Sequence, residues 1–352
     1  MKFLTIAKSF ALRSITGKIL TAFELLIGLL ILFHTVNRLA DFDLAARYTE
    51  RFSGIAAYET FDDEAKAFAE AHGTPLGAAY QLQLEPGGGM DEVSVFLAGK
   101  ELFLNTPLEL CAGEWFDPDG TGLAAVVPYS LRNSFPCGST RTLDLVGMGR
   151  EKVYISGVLS SNVTFANSGI VDFSSTNRVI LLCDQNGALE PDPTIGVYSY
   201  ALIENADPAE LKKAGVVTVG MMAEAQKSER DHTLAPLWFF TAALFVLFTC
   251  GYLGEQFLSL SERTKTFAVF YMCGAGRRTC FFAQLAADLF WLIVPFVLAL
   301  AAATALGVRV RPLGLLIPFV YLFAGSCLLS LALLHYVNKQ SPVQLIKRRF
   351  YS

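Results

Sequence analysis

The chain has 352 residues, with 28 Lys and Arg against 32 Asp and Glu, and a formal net charge of −4. It is 53% hydrophobic and only 17% charged, whereas an average soluble domain is roughly 25% charged. This balance argues against a soluble protein with one core. The 28 Gly, 14 Pro and 7 Cys argue against a collagen-like chain, a disordered chain and a disulfide-rich miniprotein.

Residues 1–18 are basic and lead into the first apolar stretch. Phe3, Ile6 and Phe10 recur at helical spacing, which predicts an amphipathic helix lying on the membrane surface. A disordered tail is the alternative. The basic lead-in and the apolar stretch are both long for a cleaved signal peptide, so we expect the first apolar helix to be retained.

Four apolar stretches are long enough to span a membrane, because a bilayer core about 30 Å thick needs about 20 mostly apolar residues in a helix. The first contains Glu24 and the third contains Asp288. We predict four transmembrane helices, at residues 19–36, 234–253, 280–306 and 313–337.

Residues 53–220 form a polar insertion between the first two spans, and we predict that they fold as an α+β domain. The first two predicted strands flank a Gly-rich turn at 85–91, which favours a hairpin. The junctions at 37–52 and 221–233 are not rich in Gly or Ser, so we expect helical stalks there. Strands are predicted at 78–84, 92–99, 122–131, 142–147, 151–159, 178–184, 195–203 and 215–221, and helices at 62–71 and 208–214.

The charges are divided between the segments. Residues 40–232 hold 28 acidic and 13 basic residues, a net charge of −15, and the rest of the chain carries +11. Basic residues cluster in 1–18, 254–279 and 338–352, which the positive-inside rule places in the cytoplasm. We therefore expect a multi-pass cell-membrane protein with both termini cytoplasmic, an extracytoplasmic domain and an outer turn at 307–312, where Arg309 and Arg311 are exceptions to the rule.

Motifs for catalysis are missing from the sequence. It contains no P-loop, no paired histidines at HExxH spacing and no nucleophile elbow. We expect a non-catalytic chain with no metal, no cofactor of its own and no nucleic-acid partner. In the inserted domain Cys111 and Cys137 are a possible disulfide that would leave Cys183 as a thiol, and a fully reduced trio is equally compatible with the sequence.

The segment between the second and third spans predicts a short amphipathic helix at the cytoplasmic face. Its apolar residues stand between charged ones, and Gly274 is placed to end the helix. Such a helix can dock into a groove on a partner protein, with the apolar face giving affinity and the charges giving register. A membrane-surface helix without a partner is the alternative.

This segment resembles the cytoplasmic signature of the FtsX/MacB-like permeases of ABC transporters, also called type VII: basic residues, a hydrophobic helix, Gly-Ala, and basic residues again. Thr266 and Tyr271 depart from that pattern. Residues 341–345 and the runs 125–131 and 155–159 resemble further elements of the family. The residues assigned to ATPase coupling by the resemblance and the amphipathic pattern are Arg263, Lys265, Phe267, Val269, Phe270, Met272, Gly274, Ala275, Arg277 and Arg278.

The resemblance implies a membrane-embedded permease subunit, surrounded by lipid, that works with a separate dimer of ABC ATPase subunits binding ATP and Mg. A second permease chain, identical or related, would complete the dimer. Movement of the cytoplasmic helices would pass through the stalks to the outer domain and export a peptide or another amphiphilic substrate. The alternatives are force relay to cell-envelope enzymes without transport, and a membrane sensor with an outer ligand-binding domain. Glu24 and Asp288 have either a structural placement or a role in gating or dimer contact.

Overall fold

The computed structural model describes residues 7–8, 15–84, 93–165, 173–174, 178–187, 197–203, 206–258, 260–306 and 310–338. The chain divides into two compact units. The first, the membrane unit, comprises Met1–Asn37 and Pro236–Ser352. The second, the inserted domain, comprises Arg38–Ala235.

The described residues contain helices and strands in the following chain order. The helices are α1 Ile15–Arg51, α2 Asp63–His72, α3 Lys100–Asn105, α4 Pro208–Lys213, α5 Val219–Leu258, α6 Leu260–Met272, α7 Arg277–Ala305 and α8 Pro312–Asn338. The strands are β1 Ile55–Glu59, β2 Gly73–Gln83, β3 Val93–Gly99, β4 Leu110–Gly113, β5 Leu123–Val127, β6 Thr140–Leu145, β7 Gly149–Leu159, β8 Thr164–Phe165, β9 Phe173–Ser174, β10 Arg178–Asp184, β11 Val197–Ile203 and β12 Val217–Thr218.

Four helices are long and apolar enough to cross a membrane, which confirms the predicted fold class. The segments that meet this criterion are Ile15–Arg51, Ala235–Phe257, Arg278–Ala305 and Gly314–Ala332. Helices α1 and α5, with 37 and 40 residues, are longer than the roughly 20 residues that a bilayer requires. Both predicted stalks are therefore helical in the structure. Residues 307–309 of the outer turn lie outside the described residues, as does the predicted tail at 338–352 apart from Asn338.

Small residues bring α1 and α5 close together within the membrane unit. A Cβ on Gly28 would lie 2.5 Å from the ring of Phe248, and the hydroxyls of Thr35 and Thr241 are 2.8 Å apart. Residue numbers rise along α1 as they fall along α5, so the two helices are antiparallel. Close approach at small residues, together with hydrogen bonds between helices, is the usual means of packing in a membrane.

A ten-stranded mixed sheet forms the centre of the inserted domain. Its order is β12-β1-β11-β2-β3-β10-β5-β7-β4, with β6 paired to β7. Strands β3 and β10 are parallel, as are β5 and β7, and the other pairs are antiparallel. The predicted α+β architecture is confirmed. The antiparallel pairing of β2 with β3 also confirms the predicted hairpin, whose turn at 85–91 lies outside the described residues.

The central strands are buried on both faces. In β3, Phe96 packs in one core cluster while Val95 and Leu97 pack in another. In β10, Leu181 faces the first cluster and Leu182 the second. A strand covered on both faces reads as a continuous apolar run rather than as an alternation, as the sequence from Arg178 to Asp184 does.

Short helices cover part of the sheet, and side chains cap their first turns. Asp62 accepts hydrogen bonds from the backbone N–H groups of Glu64 and Ala65 at the start of α2. Asp207 accepts one from Ala209 at the start of α4, where Pro208 is the first residue. These caps satisfy N–H groups that have no partner inside the helix.

Some strand predictions are wrong. Only Val217 and Thr218 of the predicted strand 215–221 are extended, because helix α5 begins at Val219. The predicted strand 122–131 ends at Val127, since Pro128 has no N–H to donate to a neighbouring strand. Strands β1, β4, β8 and β9 and helix α3 were not predicted.

Candidate functional site

Helix α6 connects the second and third membrane-spanning helices and is the predicted docking helix. The turn that ends it has a left-handed residue, Gly274, with φ of 80°. The Gly274 N–H donates to the Tyr271 carbonyl at 3.0 Å and the Ala275 N–H donates to the Phe270 carbonyl at 2.9 Å. This pair of bonds is the Schellman motif, which glycine favours because it has no Cβ.

One face of α6 is buried against α7. Phe267 and Ala268 are 1% and 0% exposed. They form a cluster with three small side chains of α7, namely Cys280, Ala283 and Ala287. Of the predicted docking residues, Phe267 therefore lies inside the protein, where it anchors α6.

The opposite face of α6 is exposed near its C-terminal end. Val269 and Met272 are 49% and 56% exposed, and a spacing of three residues places them side by side on one helical face. Phe270 and Ala275 are half-buried against the α6–α7 cluster. The described apolar surface available for docking is thus the last turn of α6, a smaller area than the whole predicted helix.

The predicted basic residues occupy different environments. Arg278 is exposed in the first turn of α7, and Lys265 is half-buried. The side chain of Arg277 lies outside the described residues. No acidic residue stands in the first turn of α7, so the positive end of its macrodipole adds to the charge of Arg278.

Arg263 is not at the surface, contrary to its prediction as a partner contact. It is buried, and its Nη1 donates to Oδ2 of Asp288 at 3.1 Å. Gln284 Nε2 donates to both carboxylate oxygens of Asp288 at 2.9 Å. Asp288 is 1% exposed. Of the two roles predicted for it, this burial favours a structural placement over a role in gating or dimer contact.

Sequence reasoning missed the pairing of Arg263 with Asp288, although a signal for it was present. Asp288 is the only acidic residue in the third predicted span. A carboxylate inside a membrane helix requires a cationic or hydrogen-bonding partner. Gln284, one turn earlier on the same helix, and Arg263, in the preceding helix, are the partners that the structure brings to it.

Glu24, the acidic residue of the first predicted span, lies beside α5 in the membrane unit. It is half-buried on α1. A Cβ on Gly251 of α5 would lie 2.9 Å from Oε2 of Glu24. The glycine therefore makes room for the carboxylate between the two helices.

The possible disulfide between Cys111 and Cys137 is not formed. Cys111 Sγ donates to the Leu159 carbonyl at 3.3 Å and Cys137 Sγ donates to the Ser156 carbonyl at 3.4 Å. Both thiols are exposed and are held at separate carbonyls of β7. Cys183 is a buried thiol, and burial is the main reason that its pKa is raised to about 12, so it is protonated and unreactive at neutral pH.

The fold and the site define a class of protein: a multi-pass membrane protein with a large α/β domain between its first and second spans. Between its second and third spans it presents a short helix, anchored on one face and exposed at one end. No group of three His, Cys, Asp or Glu side chains that could hold a metal ion occurs among the described residues.

Comparison with known proteins gives matches among solved structures. No protein-family model and no curated protein matches the sequence. The periplasmic region of MacB from Actinobacillus actinomycetemcomitans is 10% identical, with 51% of this chain and 95% of that one covered and a TM-score of 0.29. The extracellular domain of the noncanonic ABC-type transporter YknZ from Gram-positive bacteria is 9% identical, with 49% and 94% covered and a TM-score of 0.26. At these identities and TM-scores the likeness assigns no substrate or partner to this chain.

Proposed function

We propose that the chain is the non-catalytic permease subunit of an ABC transporter, and that the end of α6 docks on a separate ATPase subunit. The observation that carries this proposal is the pair of exposed apolar side chains, Val269 and Met272, on a helix whose other face is fixed. ATP and Mg would be bound by the partner. This chain would supply the docking surface and the moving outer domain.

The chemistry of the surface fits a protein groove with an acidic rim. Val269 and Met272 provide apolar area, and methionine adapts to irregular partner surfaces. Arg278 and the N-terminus of α7 provide positive charge beside the turn at Gly274. An apolar helix end with a charged border suits helix-in-groove docking.

Helix continuity supports transmission of movement. Helices α1 and α5 are each unbroken from their apolar portion into the segment that belongs to the inserted domain. A helix is a stiff spacer compared with a Gly/Ser linker, so displacement along it would reach the domain.

The inserted domain contacts the ends of both stalks. The hydroxyl of Tyr48 on α1 accepts a 2.7 Å hydrogen bond from the Glu109 N–H. The Tyr48 and Phe52 rings pack against Phe173 at 5.4 and 5.8 Å between centroids. At the start of α5 the Gly220 N–H donates to the Ser53 carbonyl at 3.2 Å. The two stalks therefore meet the domain side by side.

The basic segments support a cytoplasmic position for both termini and for α6, and an extracytoplasmic position for the inserted domain. We propose that two such chains, identical or related, assemble with an ATPase dimer, because four helices enclose little space. The substrate would be a peptide or another amphiphile. The net charge of −15 on residues 40–232 favours a cationic one by electrostatic steering. Force relay without transport shares the same coupling and remains the second candidate.

The test asks first whether a reading frame adjacent to that of this chain encodes an ATPase with a P-loop. It then measures stimulation of that ATPase by this chain, with both proteins reconstituted in lipid nanodiscs. The variants are Val269→Asp and Met272→Asp, and Phe61→Asp is the matched control, since Phe61 is a highly exposed apolar residue of the inserted domain. We expect the first two to lose stimulation and binding and the control to keep both. The proposal fails if the wild-type chain neither binds the ATPase nor changes its rate.

A further inference from the structure

A buried ion pair joins α6 to α7 inside the membrane unit. Arg263 Nη1 and Asp288 Oδ2 are 3.1 Å apart, and the two side chains are 7% and 1% exposed. The carboxylate is also held by Gln284, four residues earlier on its own helix. Lys18 of α1, which is buried as well, interacts electrostatically with the same pair.

The pair lies at one end of α6 and the exposed surface lies at the other. The turn after Met272 joins the end of α6 to the start of α7, and Arg263 and Asp288 bond to each other well before and well after that turn, so α6 runs antiparallel along α7. With a rise of 1.5 Å per residue, Asp288 is about 16 Å from the first residue of α7 and Met272 is about 14 Å from Arg263. Helix α6 thus has one fixed end and one presented end.

The apolar contacts anchor α6 against α7, but they define its rotation less sharply than a directional bond does. The side chains of α7 that face it are small, and packing of small apolar groups has no preferred direction. A charge-assisted hydrogen bond has a defined length and direction, and separating its partners would leave an uncompensated charge in a buried site.

We propose that Asp288, through Arg263, is a positioning residue that makes α6 and α7 move as a single body. A push on Val269 and Met272 is then passed to a transmembrane helix instead of being lost in rotation of α6. Arg263 acts from inside the protein and makes no contact with the ATPase. This inference rests on the proposed function for its consequence, but the rigidity itself can be measured without any partner.

The measurement is the distance between spin labels on the two helices, in the full-length chain in lipid nanodiscs. One label is placed on Cys273, the exposed native residue after α6, and the other on Phe290→Cys, an exposed position of α7. The other exposed cysteines are replaced by Ser. We expect one narrow distance distribution for the wild-type pair and a broad or divided one for Asp288→Asn.

Two further variants keep the test decisive. Thr241→Val removes another buried hydrogen bond of the membrane unit, the one to Thr35, and should leave the distribution narrow. Arg263→Met combined with Asp288→Leu removes both members of the ion pair, so neither is left buried without the other, and we expect this variant to fold with a broad distribution. A narrow distribution in this double variant, or in a folded Asp288→Asn, overturns the proposal.

A second readout links positioning to coupling. With the cognate ATPase, Asp288→Asn should lower maximal stimulation by about 2- to 30-fold, the range that single side chains span in coupling. The concentration for half-maximal stimulation should change much less, because Val269 and Met272 are intact. If maximal stimulation fell and the concentration for half-maximal stimulation rose by the same factor, the role of Asp288 would be merely structural. A wild-type chain that fails to stimulate the ATPase refutes the proposed function and leaves the distance result standing.

Discussion

Two glycines of the inserted domain allow the cost of a close backbone approach to be measured separately from the cost of a left-handed conformation. Gly113 at the end of β4 and Gly138 before β6 have φ of 78° and 80°. A Cβ on Gly113 would contact the Ser156 carbonyl oxygen and would lie 2.5 Å from Cys137 Sγ and 2.8 Å from the Cα of Gly157. A Cβ on Gly138 would meet nothing within 4 Å.

The expected magnitudes follow from these contacts. Alanine at either position incurs about 1–2 kcal/mol for a left-handed residue with a Cβ. Alanine at Gly113 incurs about 1–3 kcal/mol more, because the backbone of β7 cannot move aside as a flexible side chain can. Restriction of the unfolded chain by alanine offsets both costs equally, by about 0.4–1 kcal/mol. Gly113→Ala should therefore be less stable than Gly138→Ala by about 1–3 kcal/mol.

The assay is thermal unfolding of the full-length chain in detergent, supplemented by hydrogen exchange of the amides of β7. Gly113→Ala should unfold at the lower temperature and should speed exchange at β7, where Gly138→Ala should not. Equal melting temperatures for the two variants would show that β4 does not press on β7 as the structure has it, and would refute the reasoning.

Three other outcomes are expected. A membrane-impermeant maleimide applied to intact cells should label Cys137 and not Cys273, both of which are exposed; the reverse pattern would invert the proposed topology. Gly274 has φ of 80° and no atom lies within 4 Å of the position that a Cβ would take. Gly274→Val should therefore impair ATPase stimulation more than Gly274→Asn, because Asn tolerates this conformation. Equal effects would show that the left-handed turn after α6 does not matter for stimulation. Ser326→Ala should lower stability by about 0.6–1.7 kcal/mol, read as a fall in melting temperature, because it removes the 2.8 Å hydrogen bond to Tyr252; no change would mean that the bond is replaced.

The membrane spans were predictable because their signal is one of length and composition alone. A helix in lipid satisfies its own backbone groups, so about 20 apolar residues are sufficient to define it. The hairpin of β2 and β3 was predictable for a similar reason, since both strands and the turn are adjacent in sequence.

The strands that were missed depend on distant parts of the chain. Strand β1 is Ile-Ala-Ala-Tyr-Glu, too short and too rich in Ala for its own preference to identify it. It is extended because β11 and β12, about 150 residues later, pair with its two edges. Strand β4 has four residues and an irregular register against β7, so it carries no clear period-2 pattern.

The candidate site shows the same division between local and distant causes. Gly274 could be placed as the end of α6 from the sequence because the motif is local. The burial of Arg263 was missed because its cause is distant: Asp288, 25 residues away on another helix. An arginine beside apolar residues is typical of a docking surface and equally typical of a helix anchored by an ion pair. What separates the two is whether an acid inside the next span has a basic residue within one turn on its own helix. Asp288 has none, since Gln284, its partner one turn away, is neutral.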